Sequence, residues 1–164
     1  NEETYFEIIR NKTASLLSSA CAIGAYSSST DEIITERMKH FGEKVGIAFQ
    51  IKDDLFDYGK ADIGKPTGND IKEKKLTLPL IYTLNKVDGH TKRKLIFILK
   101  NENKSKEKVK FVIDTVIANG GISYATAKMN EYRDQALEIL NSFADSPSRQ
   151  ALESLVRYTT DRKY

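Results

Sequence analysis

The sequence predicts an all-α protein, and three observations carry that reading. Apolar residues recur with the 3.6-residue period of a helix along most of the chain, with no convincing strand alternation. The periodic segments break at clusters of Gly, Pro, Ser and Asp that suit helix ends. The composition, 40% apolar and 30% charged over 164 residues, is that of an ordinary globular domain long enough to bury a core. We expect one domain, with no repeat and no linker.

The elements follow in order. Residues 4–27 read as a long helix with the stripe Tyr5, Ile9, Lys12, Leu16, Ser19, Ile23 and Tyr26. The run Ser27 to Asp31 ends it and supplies an N-cap for a second helix that reaches Tyr58. Gly59 to Asp70 (GKADIGKPTGND), with three glycines and a proline, reads as a loop. Short helices are expected over 79–86 and 91–100. Ser105 opens another, which should stop at Gly120-Gly121, where glycine accepts a left-handed cap. Residues 122–143 continue as helix, and the last helix has Ser146 as N-cap with Pro147 in its first turn.

Charge and composition exclude several classes. The net charge of +3 is mild and no basic run interleaves with aromatics, so nucleic acid is not an expected partner. No apolar run approaches the ~20 residues of a membrane-spanning helix. No signal peptide is visible, which makes a cytoplasmic location the expectation. The single cysteine, Cys21, has no internal partner and reads as a small core residue. The chain opens at Asn1 inside a helical pattern, as either a processed protein or a fragment would.

The chemistry concentrates in GIAFQIKDDLFDY, residues 46–58, which places Asp53, Asp54 and Asp57 within five positions. On a helix Asp53 and Asp57 share a face, and their repulsion costs ~0.2–0.5 kcal/mol. The face behind them carries Gly46 and Gly42, each costing ~1 kcal/mol relative to Ala, so something must lie close against it. A lone DDxxD is most often a solvated acidic helix end; the alternative is an acidic tip above a glycine-lined groove, which suits a ligand with a charged head and a greasy tail. Carboxylates without Cys or paired His favour a hard cation, Mg²⁺ or Ca²⁺.

Two other motifs fail. An EF-hand loop begun at Asp53 would place Leu55 and Gly64 where oxygen donors belong. Gly59 to Pro66 matches GxxxxGK but has Pro66 where a phosphate loop needs Ser or Thr, and no strand precedes it. Lys65 follows the acidic cluster in the glycine-rich loop, while Lys12 sits on the apolar stripe, where it either snorkels or meets an anion.

Taken together, these segments resemble the trans-isoprenyl (polyprenyl) diphosphate synthases. Residues 46–58 followed by GKPTGNDIKEKKLTLPLIYTL are similar to the family's second aspartate-rich region. Lys12-Thr13 in IIRNKTASLL resembles its Lys-Thr helix, and GGISYATAKMNEYRDQALEIL with LESLVRYTTDRKY resembles its C-terminal end.

The resemblance implies an antiparallel helical bundle around a deep cavity, usually dimeric, in which Mg²⁺ is held around an allylic prenyl diphosphate. The double bond of isopentenyl diphosphate then attacks the allylic carbon. Asp53 would be a direct Mg²⁺ ligand, with Asp54 and Asp57 completing the motif and Asp70 supporting it. Lys12, Lys65 and, more weakly, Lys75 would bind diphosphate. Thr13 and Gln50 would face the reacting end, with Phe49 beside the substrate, and the glycine face would wall the prenyl cavity.

The wording of the motifs resembles long-chain members such as octaprenyl diphosphate synthases. No other DDxxD occurs in the chain, so it corresponds to about the C-terminal half of such an enzyme and should be inactive alone. A non-catalytic subunit that kept this half, or a terpene cyclase, are the competing readings. The intact acidic and basic residues speak against the first, and the Lys-Thr pair and GKPTGND loop against the second.

Overall fold

The computed structural model describes residues 1–59 and 67–162, and every regular element among them is helical. The order is α1 (Glu2–Ile9), a π-helical turn (Arg10–Ala14), α2 (Ser15–Ser28), α3 (Glu32–Phe56), α4 (Asn69–Lys72), α5 (Leu78–Lys86) and α6 (Gly89–Phe97). A second π-helical turn (Ile98–Glu102), α7 (Lys106–Ala118), α8 (Gly121–Asn141) and α9 (Pro147–Asp161) follow.

The caps behave as their chemistry requires. Ser105 Oγ accepts from Lys108 N–H, and Ser146 Oγ accepts from Arg149 N–H with Pro147 next in line. Gly120 takes φ +80° after α7, a left-handed position that glycine adopts without strain. Several boundaries differ from expectation by a residue or two, among them the end of α3 at Phe56 instead of Tyr58 and the start of α6 at Gly89. The helix begun by α6 runs past Lys100 to Glu102 through the second π-turn, and the segment read as loop up to Asp70 already forms the first turn of α4.

The chain divides into two compact units. One comprises Asn1–Tyr5 and the described residues of Asp53–Thr126, and the other Phe6–Lys52 and the described residues of Ala127–Lys163. The first unit packs Tyr58, Ile71, Leu80 and Leu95 against Val112 and Val116 of α7, with little or no solvent exposure. The second buries Phe41 and Val45 of α3 with Ala136, Leu137 and Leu140 of α8 and Val156 of α9. Cys21 packs at the margin of this second core, half-buried, and burial pushes its thiol pKa up.

Within the second unit, α2 and α3 approach unusually closely. A Cβ on Gly46 would stand 2.5 Å from Ala14 Cα, and one on Gly42 would stand 2.5 Å from Leu17 O. Opposite these glycines the earlier helix also carries small residues, Ala14 and Ser18. Ser18 Oγ donates to Lys39 O at 2.9 Å. Backbone therefore meets backbone. The requirement for a close neighbour is met, but the neighbour is the preceding helix, so the glycine face is not the wall of a ligand cavity.

The π-turn corrects the stripe read for the first helix. Tyr5 and Ile9 are buried as expected, but Leu16, Ile23 and Tyr26 are 76%, 69% and 59% exposed. Ser15 N–H donates to Arg10 O, five residues back, so one extra residue enters the turn. The buried face then passes from Ile9 to Ala14 and Ser18 instead of Lys12 and Leu16.

Two substitutions test this packing. Gly46→Ala forces its methyl onto fixed backbone, and overpacking of that kind costs ~1–3 kcal/mol. Gly24→Ala meets nothing within 4 Å, so it should gain ~1 kcal/mol of helix propensity. Urea midpoints falling for the first and rising for the second are the expected result. Lys74 gives a second check, since it holds φ +59°, where a Cβ costs ~1–2 kcal/mol. Lys74→Gly should raise the thermal midpoint although it loses the bond from Lys74 Nζ to Lys100 O.

Candidate active site

In the second unit the close α2–α3 contact sets a polar pair. Thr13 lies in the π-turn and Gln50 on α3, and Thr13 Oγ1 donates to Gln50 Oε1 at 2.8 Å. A π-turn widens the helix locally and is frequent at functional positions. Its preceding residue, Lys12, is exposed to solvent. Phe49 is half-buried, and the Arg162 guanidinium lies over its ring, 4.6 Å from the centroid. Burial lowers the pKa of Lys52, and the Arg162 charge lowers it further. Arg162 was not among the residues expected from sequence.

In the first unit the three motif aspartates separate into distinct environments. Asp54 is 7% exposed and accepts a 2.8 Å bond from the Tyr5 hydroxyl at Oδ2. Asp57 caps the next segment. Its Oδ1 accepts from Asn69 N–H at 2.7 Å, its Oδ2 from Asp70 N–H at 3.1 Å, and its carbonyl from Gly68 N–H at 3.0 Å. Burial raises the Asp57 pKa, as does the charge of Asp70, against the lowering by these backbone donors. Asp53 is half-buried at the end of α3.

Asp70, at the start of α4, accepts from Lys75 Nζ at 3.4 Å. Lys75 also pairs with Glu73 at 2.6 Å, and that bond is the main reason its pKa is raised, with Asp70 contributing. Lys65 lies outside the described residues.

Two tyrosines complete this unit's polar core. Burial drives the Tyr5 phenol far above its ordinary range, reinforced by the charge on Asp54. Tyr58 is raised chiefly by burial, and its hydroxyl shares a 2.7 Å bond with Thr77 Oγ1. Tyr5 was read only as part of an apolar stripe. The signal that could have singled it out is that a buried tyrosine hydroxyl must find a partner.

For a cation, the donor type fits and the arrangement is partial. Carboxylate oxygens suit Mg²⁺ or Ca²⁺, yet among the described residues no three acidic, His or Cys side chains converge as a cage. Asp57 spends both oxygens on backbone N–H groups and Asp54 spends one on Tyr5. A cation sharing Asp53 with phosphate oxygens needs no such cage.

Comparisons with known proteins agree with the motifs. Residues 1–116 match the Polyprenyl synthetase family, and the chain belongs to it. It is 35% identical over 99% of its length to the short chain isoprenyl diphosphate synthase of Methanocaldococcus jannaschii, covering 49% of that protein. The fold superposes on a decaprenyl diphosphate synthase from Rhodobacter capsulatus with a TM-score of 0.92 and 31% identity, over 100% of this chain and 51% of that one. A polyprenyl synthase from Caulobacter crescentus, solved with calcium and isoprenyl diphosphate, matches with a TM-score of 0.91 and 29% identity, over 100% and 51%. The chain thus spans about half the length of the relatives it matches. No helix among the described residues is long and apolar enough to cross a membrane.

The Asp57 cap has a direct test. Asp57→Ala removes the acceptors of the Asn69 and Asp70 amides, and their hydrogen exchange should speed up at least tenfold relative to amides of α7. Unchanged protection would show that Asp57 does not hold α4.

Proposed function

We propose that this chain is the half of a trans-polyprenyl diphosphate synthase that carries the second aspartate-rich motif and the allylic diphosphate subsite. Family membership combined with the Thr13–Gln50 hydrogen bond next to Lys12 is the observation that carries this reading. A structural relative with no substrate has no evident need for that polar pair beside an exposed cation.

In the reaction so assigned, the C–O bond of the allylic diphosphate breaks and its electron pair leaves with diphosphate. The double bond of isopentenyl diphosphate forms the new C–C bond, and loss of a proton regenerates an alkene one isoprene unit further along. Divalent cations, when bound, shield the charge that collects on the departing diphosphate. Asp53 and Asp70 supply carboxylate oxygens for that purpose. From the resemblance we assign Lys12, Lys65 and Lys75 to phosphate oxygens, since charge complementarity there helps the leaving group most. The hydrogen bond to Gln50 orients the Thr13 hydroxyl, and we assign this pair to the reacting end, with the Phe49 ring beside the substrate.

We assign the chain the C-terminal position in the parent enzyme, which acts as a homodimer and makes a long product such as octaprenyl diphosphate. The wording of KTASLL and GKPTGND supports the long product.

The assay supplies an allylic diphosphate, labelled isopentenyl diphosphate and Mg²⁺. The 164-residue chain alone should give no elongation, because half of the relatives' length is not represented in it. The same chain within a full-length parent should elongate, with products sized by chromatography. Turnover by the chain alone would refute the half-site assignment, and a parent product of fifteen carbons would refute the long chain.

A further inference from the structure

We propose that the basic edge of the first unit, formed by α6, its π-turn and the start of α7 with Phe97 exposed among the cations, docks on an anionic lipid bilayer. The inference uses charge and exposure alone and does not depend on the metal reading proposed above.

The mild net charge conceals an uneven distribution. Of the chain's 26 Lys and Arg and 23 Asp and Glu, residues 86–110 hold nine and three, which leaves the remainder net negative. A run of charge is usually a solvated face on which both signs alternate and pair. Here the pairing is incomplete. Lys108 pairs with Glu102 and Lys110 with Asp114. Arg93, Lys100, Lys104 and Lys106 are exposed and have no salt bridge to any described residue.

Three segments meet at this edge. Arg93 and Phe97 stand one turn apart on α6, Lys100 and Lys104 follow in and after the π-turn, and Lys106 opens α7. The Lys94 ammonium lies 3.9 Å from the centroid of the Phe111 ring on α7. Asn103 Nδ2 donates to Lys72 O at 2.6 Å and Lys74 Nζ to Lys100 O at 2.9 Å, so the turn after α4 brings its lysines alongside.

Phe97 selects the partner. It is 55% exposed, and an apolar ring amid cations leaves water favourably where headgroups meet acyl chains. Lysine stems extend to keep their ammonium groups at the phosphates. A nucleic acid would meet the same cations, but a single phenyl ring is no stacking platform for successive bases. Arg93 is also the sole arginine among the nine, although arginine suits nucleic-acid recognition better.

The test is sedimentation of the 164-residue chain with vesicles of phosphatidylcholine, alone or with phosphatidylglycerol added. Binding should require phosphatidylglycerol and weaken as salt rises, because a leaflet's charge is screened within a Debye length. Each cation at such a surface contributes about fivefold to the binding constant, so Lys100→Gln, Lys104→Gln and Lys106→Gln together should weaken binding at least tenfold. Lys39→Gln, Lys128→Gln and Arg157→Gln remove as many cations from the second unit and should change it by less than twofold.

The chain has no tryptophan, so Phe97→Trp provides a single reporter whose emission should shift to the blue on anionic vesicles. Absence of binding to those vesicles overturns the inference, as does an equal loss in both triple variants or binding without the emission shift. Tighter binding to duplex RNA than to the vesicles, lost in the first triple variant, assigns the edge to nucleic acid and overturns it as well.

Discussion

The contact on which the second unit depends is the backbone approach between α2 and α3. Gly42 and Gly46 present no side chain, Ala14 and Ser18 present little, and the helices come together until a single methyl would clash. Two mid-helix glycines are unfavourable for an isolated helix by ~1 kcal/mol each. They persist because the approach they permit buries Ala14 fully and brings Thr13 to within 2.8 Å of Gln50. The π-turn is the complementary device on the other helix. Its extra residue rotates Ala14 and Ser18 onto the contact and leaves Lys12 on the exposed side.

In the first unit a comparable role falls to hydrogen bonds instead of packing. Three aspartates near one helix end are mutually repulsive and lie at the negative end of the helix dipole. The fold answers by supplying protein donors to Asp54, Asp57 and the nearby Asp70. Tyr5 holds Asp54 from α1, the backbone amides of α4 hold Asp57, and Lys75 approaches Asp70. Asp53 itself stays half-buried at the end of α3. The repulsion that makes the stretch look costly in sequence is thus offset largely by protein donors before any metal is considered.

Much of this was legible in the sequence, and the failures have identifiable causes. Helix positions, the Ser105 and Ser146 caps and the Gly120 stop follow from local rules that tertiary contacts do not override here. Gly42 and Gly46 announced a close neighbour correctly, but spacing cannot tell whether that neighbour is a ligand or a helix. The stripe failed beyond Ile9 because one inserted residue shifts every later position, and no side chain marks a π-turn. The Tyr5–Asp54 bond joins residues 49 apart, a pairing that a local reading cannot reach. Lys74 takes a φ of +59° in the turn after α4, a left-handed conformation that its side chain does not announce.

Asp53 and Asp70 are proposed as the cation side of a diphosphate site. Paramagnetic broadening of backbone amide resonances by Mn²⁺, with inorganic diphosphate present, tests it most directly. The expected result is loss of signal centred on Asp53 and Asp70, while the amides of α9 stay sharp. Broadening centred on a surface acidic group such as Asp145, or spread evenly over the acidic surface, would contradict it.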